Sequence, residues 1–217
     1  MTKKKHIIFD MDGTLSDTAK ATLAAIKKAE KLFKLPPVTE NSIRDAMGIA
    51  GLDFYRHILP NVPDDVLIKL EPEVDALELA VIQDLGPEIL FPGVADLLVS
   101  LKQANTNLYI ASTGSEVHVH GTLQATGIKS YFSGIYCGES AKIDMVRRII
   151  AGSDPDEWAM IGDMFKDSEA ARGNGILALG AEFGYLAKED YSLFDAVLRT
   201  PEDLLVYIDS ELEETLC

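Results

Sequence analysis

The sequence predicts an α/β protein with a doubly wound parallel sheet and one inserted helical domain. Short apolar runs typical of buried strands recur along the chain, and most are separated by helical patterns. One long stretch, residues 16–105, breaks this alternation with helical periodicity and almost no strand signal. At 217 residues, 47% hydrophobic and 25% charged, the chain has room for one sizeable core plus a smaller insertion.

The first predicted strand covers residues 6–9, where the apolar run HIIF ends at Asp10 and the turn-forming residues that follow close the strand. The remaining predicted strands share a short apolar run and lie at residues 107–111, 134–137, 158–161, 176–179 and 195–198. Because strands that alternate with helices form parallel sheets with right-handed crossovers, we expect one doubly wound sheet.

The long interruption predicts a set of helices joined by turns that contain proline or glycine. The predicted helices are residues 18–35, 39–47, 52–59 and 63–84. The insertion closes near Gly86, and an amphipathic helix at residues 95–103 returns the chain to the sheet. We therefore expect residues 1–15 and 87–217 to form the α/β core and residues 16–86 to form a helical domain.

Charge and cysteine content exclude several classes of function. A formal net charge of −15 repels nucleic acid and anionic membrane surfaces, and no apolar run is long enough to span a membrane. Cys137 and Cys217 are far apart and form no zinc pattern or disulfide framework, which fits a reducing cytoplasm. An anionic substrate would need a local positive site, such as a bound divalent cation with a lysine.

The first polar cluster is Asp10-x-Asp12-Gly13-Thr14, directly after the first strand. A carboxylate at a strand end is suited to act as a nucleophile on phosphorus, with Asp10 in that role. Asp12, two positions on, is suited to give a proton to the leaving oxygen and later take one from water. Taken alone, the motif also fits an Asx-turn that ends a strand.

The second cluster is Gly162-Asp163-x-x-x-Asp167, between the strand at 158–161 and a predicted helix at 168–173. Carboxylate oxygens are hard ligands that suit Mg²⁺, so Asp163 and Asp167 are candidate metal ligands. The alternative is helix capping by two aspartates, which the dipole at a helix N-terminus also favours.

The third and fourth clusters contain candidate phosphate-binding groups. Ser112, Thr113 and Gly114 follow the strand at 107–111 and precede a helix, where hydroxyls and free backbone N–H groups form a phosphate cradle or a simple N-cap. Lys142 follows the strand at 134–137, and its ammonium would neutralise phosphate charge, although a lone lysine is usually a surface residue. Since ligands bind beyond the carboxyl ends of parallel strands, all four clusters are expected at one site.

In this order and spacing, the four clusters resemble the haloacid dehalogenase superfamily of phosphatases. In that family Asp-x-Asp-Gly-Thr supplies nucleophile and acid/base, a strand-end Ser or Thr and a later Lys bind phosphate, and Gly-Asp-x-x-x-Asp completes the Mg²⁺ site. The resemblance covers essentially the whole chain. The segments FPGV at 91–94 and GNGI at 173–176 resemble the phosphoglycolate phosphatase-like branch.

The resemblance implies Asp10 and Asp163 as side-chain ligands of Mg²⁺, Asp12 as a ligand through its backbone carbonyl, and Asp167 as a supporting or additional ligand. It implies that Ser112 and Lys142 act with Asp10 and Asp12 in catalysis. The helical insertion resembles the family's mobile cap. Arg56, on the third predicted helix of that insertion, is expected either to meet a substrate anion or to be a solvated surface arginine.

These features predict an Mg²⁺-dependent phosphatase that acts on a small phosphorylated metabolite through an aspartyl phosphate. The substrate classes considered are phosphoglycolate, a sugar phosphate, a nucleotide and pyrophosphate. A mutase or phosphotransferase of the same fold, and a regulatory phosphate-binding module without turnover, are the alternatives. We expect a monomer or homodimer that binds no nucleic acid or membrane. His118 and His120 are interpreted as ordinary helix residues, since side chains two apart on a helix point in different directions.

Overall fold

A computed structural model of the chain describes residues 3–49 and 51–208. The described residues form six strands, which are β1 (His6–Phe9), β2 (Asn107–Ala111), β3 (Phe132–Tyr136), β4 (Trp158–Gly162), β5 (Leu177–Ala181) and β6 (Ala196–Leu198). They also form eight α-helices, which are α1 (Thr18–Phe33), α2 (Glu40–Ala46), α3 (Leu52–Ile58), α4 (Asp64–Leu85), α5 (Val94–Gln103), α6 (Glu116–Ala125), α7 (Lys142–Ile149) and α8 (Phe165–Arg172). Cys137 forms no disulfide within this part of the chain, and Cys217 lies outside it.

The strands form one parallel sheet in the order β3-β2-β1-β4-β5-β6. Strand β1 lies between β2 and β4, where the order of the sheet reverses. In doubly wound sheets, this reversal opens a crevice beyond the carboxyl ends of the strands that binds ligands. Phe9 pairs with Ile110 on one side and Ile161 on the other, so the residues that follow all three strands emerge together.

The two faces of the sheet pack against different helices because successive side chains of a strand point in opposite directions. In β1, Ile7 and Phe9 belong to a cluster with residues of α5 and α6, whereas Ile8 belongs to a second cluster with residues of α7 and α8. All three side chains are fully buried. The sheet is therefore covered on both sides, as the predicted α/β class requires, and that prediction is confirmed.

Helices α1 to α4 occupy the interruption between β1 and β2 and share a hydrophobic cluster of their own, formed by buried residues between Ala19 and Val74. The two segments that connect these helices to the sheet run side by side. The N–H of Asp17 donates to Ile89 O at 2.8 Å, and the N–H of Phe91 donates to Leu15 O at 3.0 Å. The exact division at residues 15/16 and 86/87 stays a prediction.

The element boundaries agree closely with the sequence prediction, with one informative exception. Helix α8 begins at Phe165, three residues before the predicted start at 168. The side chain of Asp167 accepts the backbone N–H of Met164 at 3.0 Å, which allows the helix to begin before the aspartate rather than after it. None of the described helices combines the length and apolar character needed to cross a membrane.

Candidate active site

Asp10 directly follows β1 and is held in the interior of the site. Its backbone N–H donates to Ile161 O at 2.9 Å, which continues the pairing of β1 with β4, and its side chain is buried. The Lys142 ammonium donates to Asp10 Oδ1 at 2.7 Å. Burial raises the pKa of Asp10 to about 7, in spite of the opposing effect of Lys142. A single lysine thus only partly offsets the cost of burying this carboxylate.

Gly13 makes the turn that brings Asp163 close to the first motif. Its φ of 85° lies in the left-handed region that glycine tolerates, and a Cβ at this position would lie 2.5 Å from Asp163 Oδ2. The next residue, Thr14, is buried, and its hydroxyl donates to Asp163 Oδ1 at 2.7 Å. The glycine and threonine of the motif therefore position a carboxylate that lies 149 residues away in sequence.

Asp163 and Asp167 follow β4 and differ in how their oxygens are used. Asp167 Oδ2 accepts the backbone N–H groups of Asp163 at 3.1 Å and Met164 at 3.0 Å, and its Oδ1 accepts from Lys142 at 2.6 Å. Gly162 leaves room for this arrangement, since a Cβ there would lie 2.2 Å from the Asp167 side chain. By contrast, Asp163 Oδ2 is buried and accepts no hydrogen bond from any described residue.

The carboxylates of Asp10, Asp163 and Asp167 each offer an oxygen within 4.8 Å of the others. All three side chains are buried, and Lys142 is the cation that contacts two of them. Burial, and then the negative charge of Asp10, raise the pKa of Asp163 well above its usual range. Hard oxygen donors, excess negative charge and the unpartnered Oδ2 of Asp163 fit a divalent cation.

Ser112, Thr113 and Gly114 form a tight loop between β2 and α6. The backbone N–H of Gly114 donates to Ser112 Oγ at 3.1 Å, and Gly114 O accepts from the N–H of Gly138 at 2.8 Å. The N-cap of α6 is Ser115, whose hydroxyl accepts the N–H of His118 at 3.2 Å. Ser112 therefore does not cap the helix, and the three loop residues line a cavity in front of Asp10.

His118, interpreted from the sequence as an ordinary helix residue, contacts the site, and that interpretation is wrong. Its Nε2 lies 2.9 Å from Asp12 Oδ1, and its Nδ1 lies 3.3 Å from Glu78 Oε2 on α4. Burial opposes protonation, but the two carboxylates outweigh it and raise the pKa of His118 well above its usual value. The contact with His118 in turn lowers the pKa of Asp12 against the opposing effect of burial. The sequence signal that could have indicated this contact is the position of His118, in the first helical turn after the Ser112 loop.

A cavity of about 790 Å³ lies between the sheet edge and the helices α1, α3 and α4. Asp10, Asp12, Lys142 and Asp167 line it on the sheet side. Arg56 does not belong to its lining. The guanidinium of Arg56 is exposed and pairs with Asp53 and Asp64, each at 2.6 Å, so the structure places this side chain on the outer surface of the helices, outside the cavity.

Comparisons with known proteins agree with this architecture. A family model described as haloacid dehalogenase-like hydrolase matches residues 7–181. The phosphoglycolate phosphatase of Synechococcus elongatus is 30% identical over 92% of this chain and 94% of the relative. A phosphoglycolate phosphatase of Agrobacterium fabrum is 28% identical over 82% and 80%. A haloacid dehalogenase-like hydrolase structure from Streptococcus pneumoniae superposes with a TM-score of 0.82 at 25% identity, covering 96% of this chain and all of that one.

Proposed function

Because the chain belongs to the haloacid dehalogenase-like hydrolase family and is a phosphatase, we propose that it hydrolyses a small phosphate monoester with Mg²⁺ through an aspartyl phosphate on Asp10. The observation that carries the proposal is the contact of Asp10 with Lys142, in a buried group that also contains Asp163 and Asp167. This contact supports Asp10 as the nucleophile, beside a cation and candidate metal ligands at one end of the sheet.

The reaction has two steps. In the first, a carboxylate oxygen of Asp10 attacks phosphorus, the bond to the leaving oxygen breaks, and Asp12 in its protonated form donates a proton to that oxygen. Asp12 obtains this proton from the His118 imidazolium through their hydrogen bond when the negatively charged phosphate ester binds. In the second, Asp12 takes a proton from water, the water oxygen attacks phosphorus, and Asp10 leaves as a free carboxylate with release of inorganic phosphate. His118 keeps the Asp12 carboxylate oriented for both transfers through its hydrogen bond at 2.9 Å. We propose His118 as a positioning residue.

The metal would be held by the side chains of Asp10 and Asp163 and by the backbone carbonyl of Asp12. Asp163 is suited to this because its Oδ2 has no other partner. Both oxygens of Asp167 already accept hydrogen bonds, so Asp167 supports the site by fixing Lys142 and the turn after β4. When bound, Mg²⁺ supplies charge stabilisation for the transferring phosphoryl group.

The phosphoryl group itself is proposed to lie between Lys142 and the loop of Ser112, Thr113 and Gly114. The Lys142 ammonium provides a fixed positive charge, because Asp10 and Asp167 hold it from two sides. The loop provides hydroxyls and backbone N–H groups at the start of α6. Preorganised donors of this kind stabilise charge that develops in the transition state.

We further propose that residues 16–86 act as a cap over this site. Their helices supply the wall of the cavity opposite Asp10, so a substrate would be enclosed between the two parts during turnover. An enclosed cavity favours a small metabolite over a phosphoprotein. A cytoplasmic location and a monomeric or homodimeric state complete the proposal.

The test is phosphate release from a panel of small phosphate esters, with Mg²⁺ and with a chelator. We expect release with Mg²⁺ only. After acid quenching during turnover, mass spectrometry is expected to show one added phosphoryl group on the peptide that contains Asp10. If sugar hydroxyls instead of water receive the phosphoryl group, the enzyme is a phosphotransferase, and the hydrolase proposal is wrong. If no ester is turned over and no peptide is labelled, the whole mechanism is wrong.

A further inference from the structure

The wall of the cavity opposite Asp10 carries three carboxylates from one helix. Glu71, Asp75 and Glu78 of α4 all line the cavity. Their spacing of four and three residues puts them on the same face of the helix, about one turn apart. These three carboxylates repel the phosphate of an ester that enters the cavity. The wall is therefore unfavourable for a substrate unless another part of that substrate offsets its negative charge.

Within the described part of the chain, this wall has little neutralising charge. Glu78 contacts His118 and the hydroxyl of Thr22. Asp75 Oδ1 accepts a neutral hydrogen bond from the Tyr55 hydroxyl at 3.2 Å, and neither Asp75 nor Glu71 forms an ion pair with a described residue. Partial desolvation of the otherwise exposed Asp75, and then the charge of Glu78, raise the pKa of Asp75. A cation bound beside Asp75 would relieve this electrostatic cost.

The lysines that line the cavity are engaged elsewhere. The Lys142 ammonium binds Asp10 and Asp167 on the opposite wall. The Lys166 ammonium donates to Gly48 O at 2.7 Å. Neither lysine is within ion-pair distance of Glu71 or Asp75, so the end of the cavity at α4 is negative and the end at Lys142 is suited to phosphate.

A second feature of the same cavity points to a ligand between these two ends. The hydroxyl of Thr18, on α1, is buried without a well-aligned hydrogen-bond partner among the described residues, and the residue is only 1% exposed. It is close enough to Asp12 to contribute to the lowered pKa of that carboxyl, but the two groups are not aligned for a hydrogen bond. Thr18 lines the cavity one helical turn before Thr22, which contacts Glu78. A polar group of the substrate that lies between Asp12 and α4 would satisfy this hydroxyl.

The size of the cavity also argues for a substrate with a substantial leaving group. A volume of about 790 Å³ is in the upper part of the range for ligand pockets, roughly 300–1,000 Å³. Its remaining wall includes the apolar side chains of Phe54, Met47 and Leu79. A two-carbon ester would occupy only a small part of this space.

Building on the proposed phosphatase function, we infer that the leaving group of the preferred substrate carries a protonated amine, which binds Glu71 and Asp75 while the phosphate binds Lys142 and the Ser112 loop. An amino sugar phosphate or an aminoalkyl phosphate has this chemistry. The carboxylate of phosphoglycolate would approach the same negative wall and lose affinity, so this chain would differ in preference from the relatives named phosphoglycolate phosphatase.

The test uses two series of esters of similar size that differ in the charge of the leaving group. The first is glucosamine 6-phosphate, glucose 6-phosphate and 6-phosphogluconate. The second is 2-aminoethyl phosphate, 2-hydroxyethyl phosphate and phosphoglycolate. In the sugar series we expect kcat/KM to fall from the ammonium to the neutral to the carboxylate ester, by about twofold to fivefold per step, since each step changes one partly solvated charge contact. The two-carbon series is expected to show the same order with smaller steps, because its charged group reaches less far toward α4.

One double variant and a control variant test whether the preference depends on the α4 wall. In Glu71→Gln with Asp75→Asn, the ratio of kcat/KM between the ammonium and neutral esters is expected to approach one. Because both esters are measured on one preparation, partial misfolding cancels in this ratio. Glu73→Gln removes one carboxylate charge from an exposed position of α4 that does not line the cavity, and is expected to keep the wild-type ratio.

The outcomes separate the two proposals. If wild type hydrolyses these esters but prefers the carboxylate member, or if the double variant keeps the full preference for the ammonium, the amine inference is wrong and the phosphatase function stands. If wild type releases no phosphate from either series or from a general aryl phosphate, the proposed function itself has failed.

Discussion

The two walls of the cavity differ in how their charged side chains are paired. On the sheet side, Asp10, Lys142 and Asp167 are buried and joined by short ion pairs. On the side of α4, Glu71 is only partly buried, Asp75 is exposed, and neither has an ion-pair partner among the described residues. The first wall is held rigid by its own contacts, whereas the second is open to a partner that comes from outside.

This difference separates chemistry from specificity. A group that must act on phosphorus needs a fixed position, which buried and mutually bonded side chains provide. A group that recognises the variable part of a substrate needs accessible, unsatisfied charge or hydrogen-bonding capacity. Changes on the sheet wall are therefore expected to lower turnover of every ester, and changes on the α4 wall are expected to alter the order of preference among esters.

The largest expected effect is at Asp10. Asp10→Asn keeps the shape of the side chain but removes the nucleophilic carboxylate, so kcat is expected to fall by at least about three orders of magnitude for all esters. Phosphate release under saturating substrate measures this, and circular dichroism checks that the variant is folded. Residual turnover within tenfold of wild type would show that Asp10 is not the nucleophile.

The second-largest expected effect is stabilisation of the fold by bound metal, which can be measured without substrate turnover. If Mg²⁺ binds the folded chain at a hundred times its Kd, the melting temperature is expected to rise by about 5–10 °C. Asp163→Asn removes the charge of the carboxylate whose Oδ2 has no protein partner, and is expected to abolish the shift. Thermal denaturation with and without Mg²⁺ measures both. An equal shift in wild type and Asp163→Asn would locate the bound metal elsewhere.

The part of the site that could be predicted from sequence is the part defined by strand ends. Asp10, Ser112 and Asp163 each come directly after a strand, and a parallel sheet brings the ends of β1, β2 and β4 to one edge whatever the loops do. The strand positions themselves follow from short apolar runs. Both inferences depend on local sequence and on a topological rule, which is why they could be made before the structure was known.

The part that could not be predicted depends on how helices pack. His118 and Asp12 are 106 residues apart, and although the position of His118 after the Ser112 loop places it near the site, no local pattern indicates that its side chain faces Asp12. The orientation of α4 could not be predicted either, because packing against α1 and α3 determines which of its faces points inward. Arg56 shows the opposite case, because Asp53 three residues earlier is a local signal for an ion pair on the helix surface.

A smaller effect is expected at His118, which joins the two walls through Asp12 and Glu78. His118→Ala leaves Asp12 free to rotate, so kcat is expected to fall about tenfold to a hundredfold while KM changes little. His118→Gln retains a donor toward Asp12 and is expected to recover part of the loss. His120→Ala, on the same helix but outside the cavity lining, is the matched control. A uniform rise in KM with unchanged kcat would assign His118 to substrate binding instead.

The smallest effect is expected at Arg56, on the outer side of the same helices. Its guanidinium is exposed and shared between Asp53 and Asp64, so it has no free charge to offer a substrate and does not reach the cavity. Arg56→Ala is therefore expected to change kcat/KM by less than about twofold for every ester in both series. The same assay that compares the ammonium, neutral and carboxylate esters measures it. A selective loss for the carboxylate ester would mean that Arg56 turns into the cavity when substrate binds, and the negative wall of α4 would then not decide the preference alone.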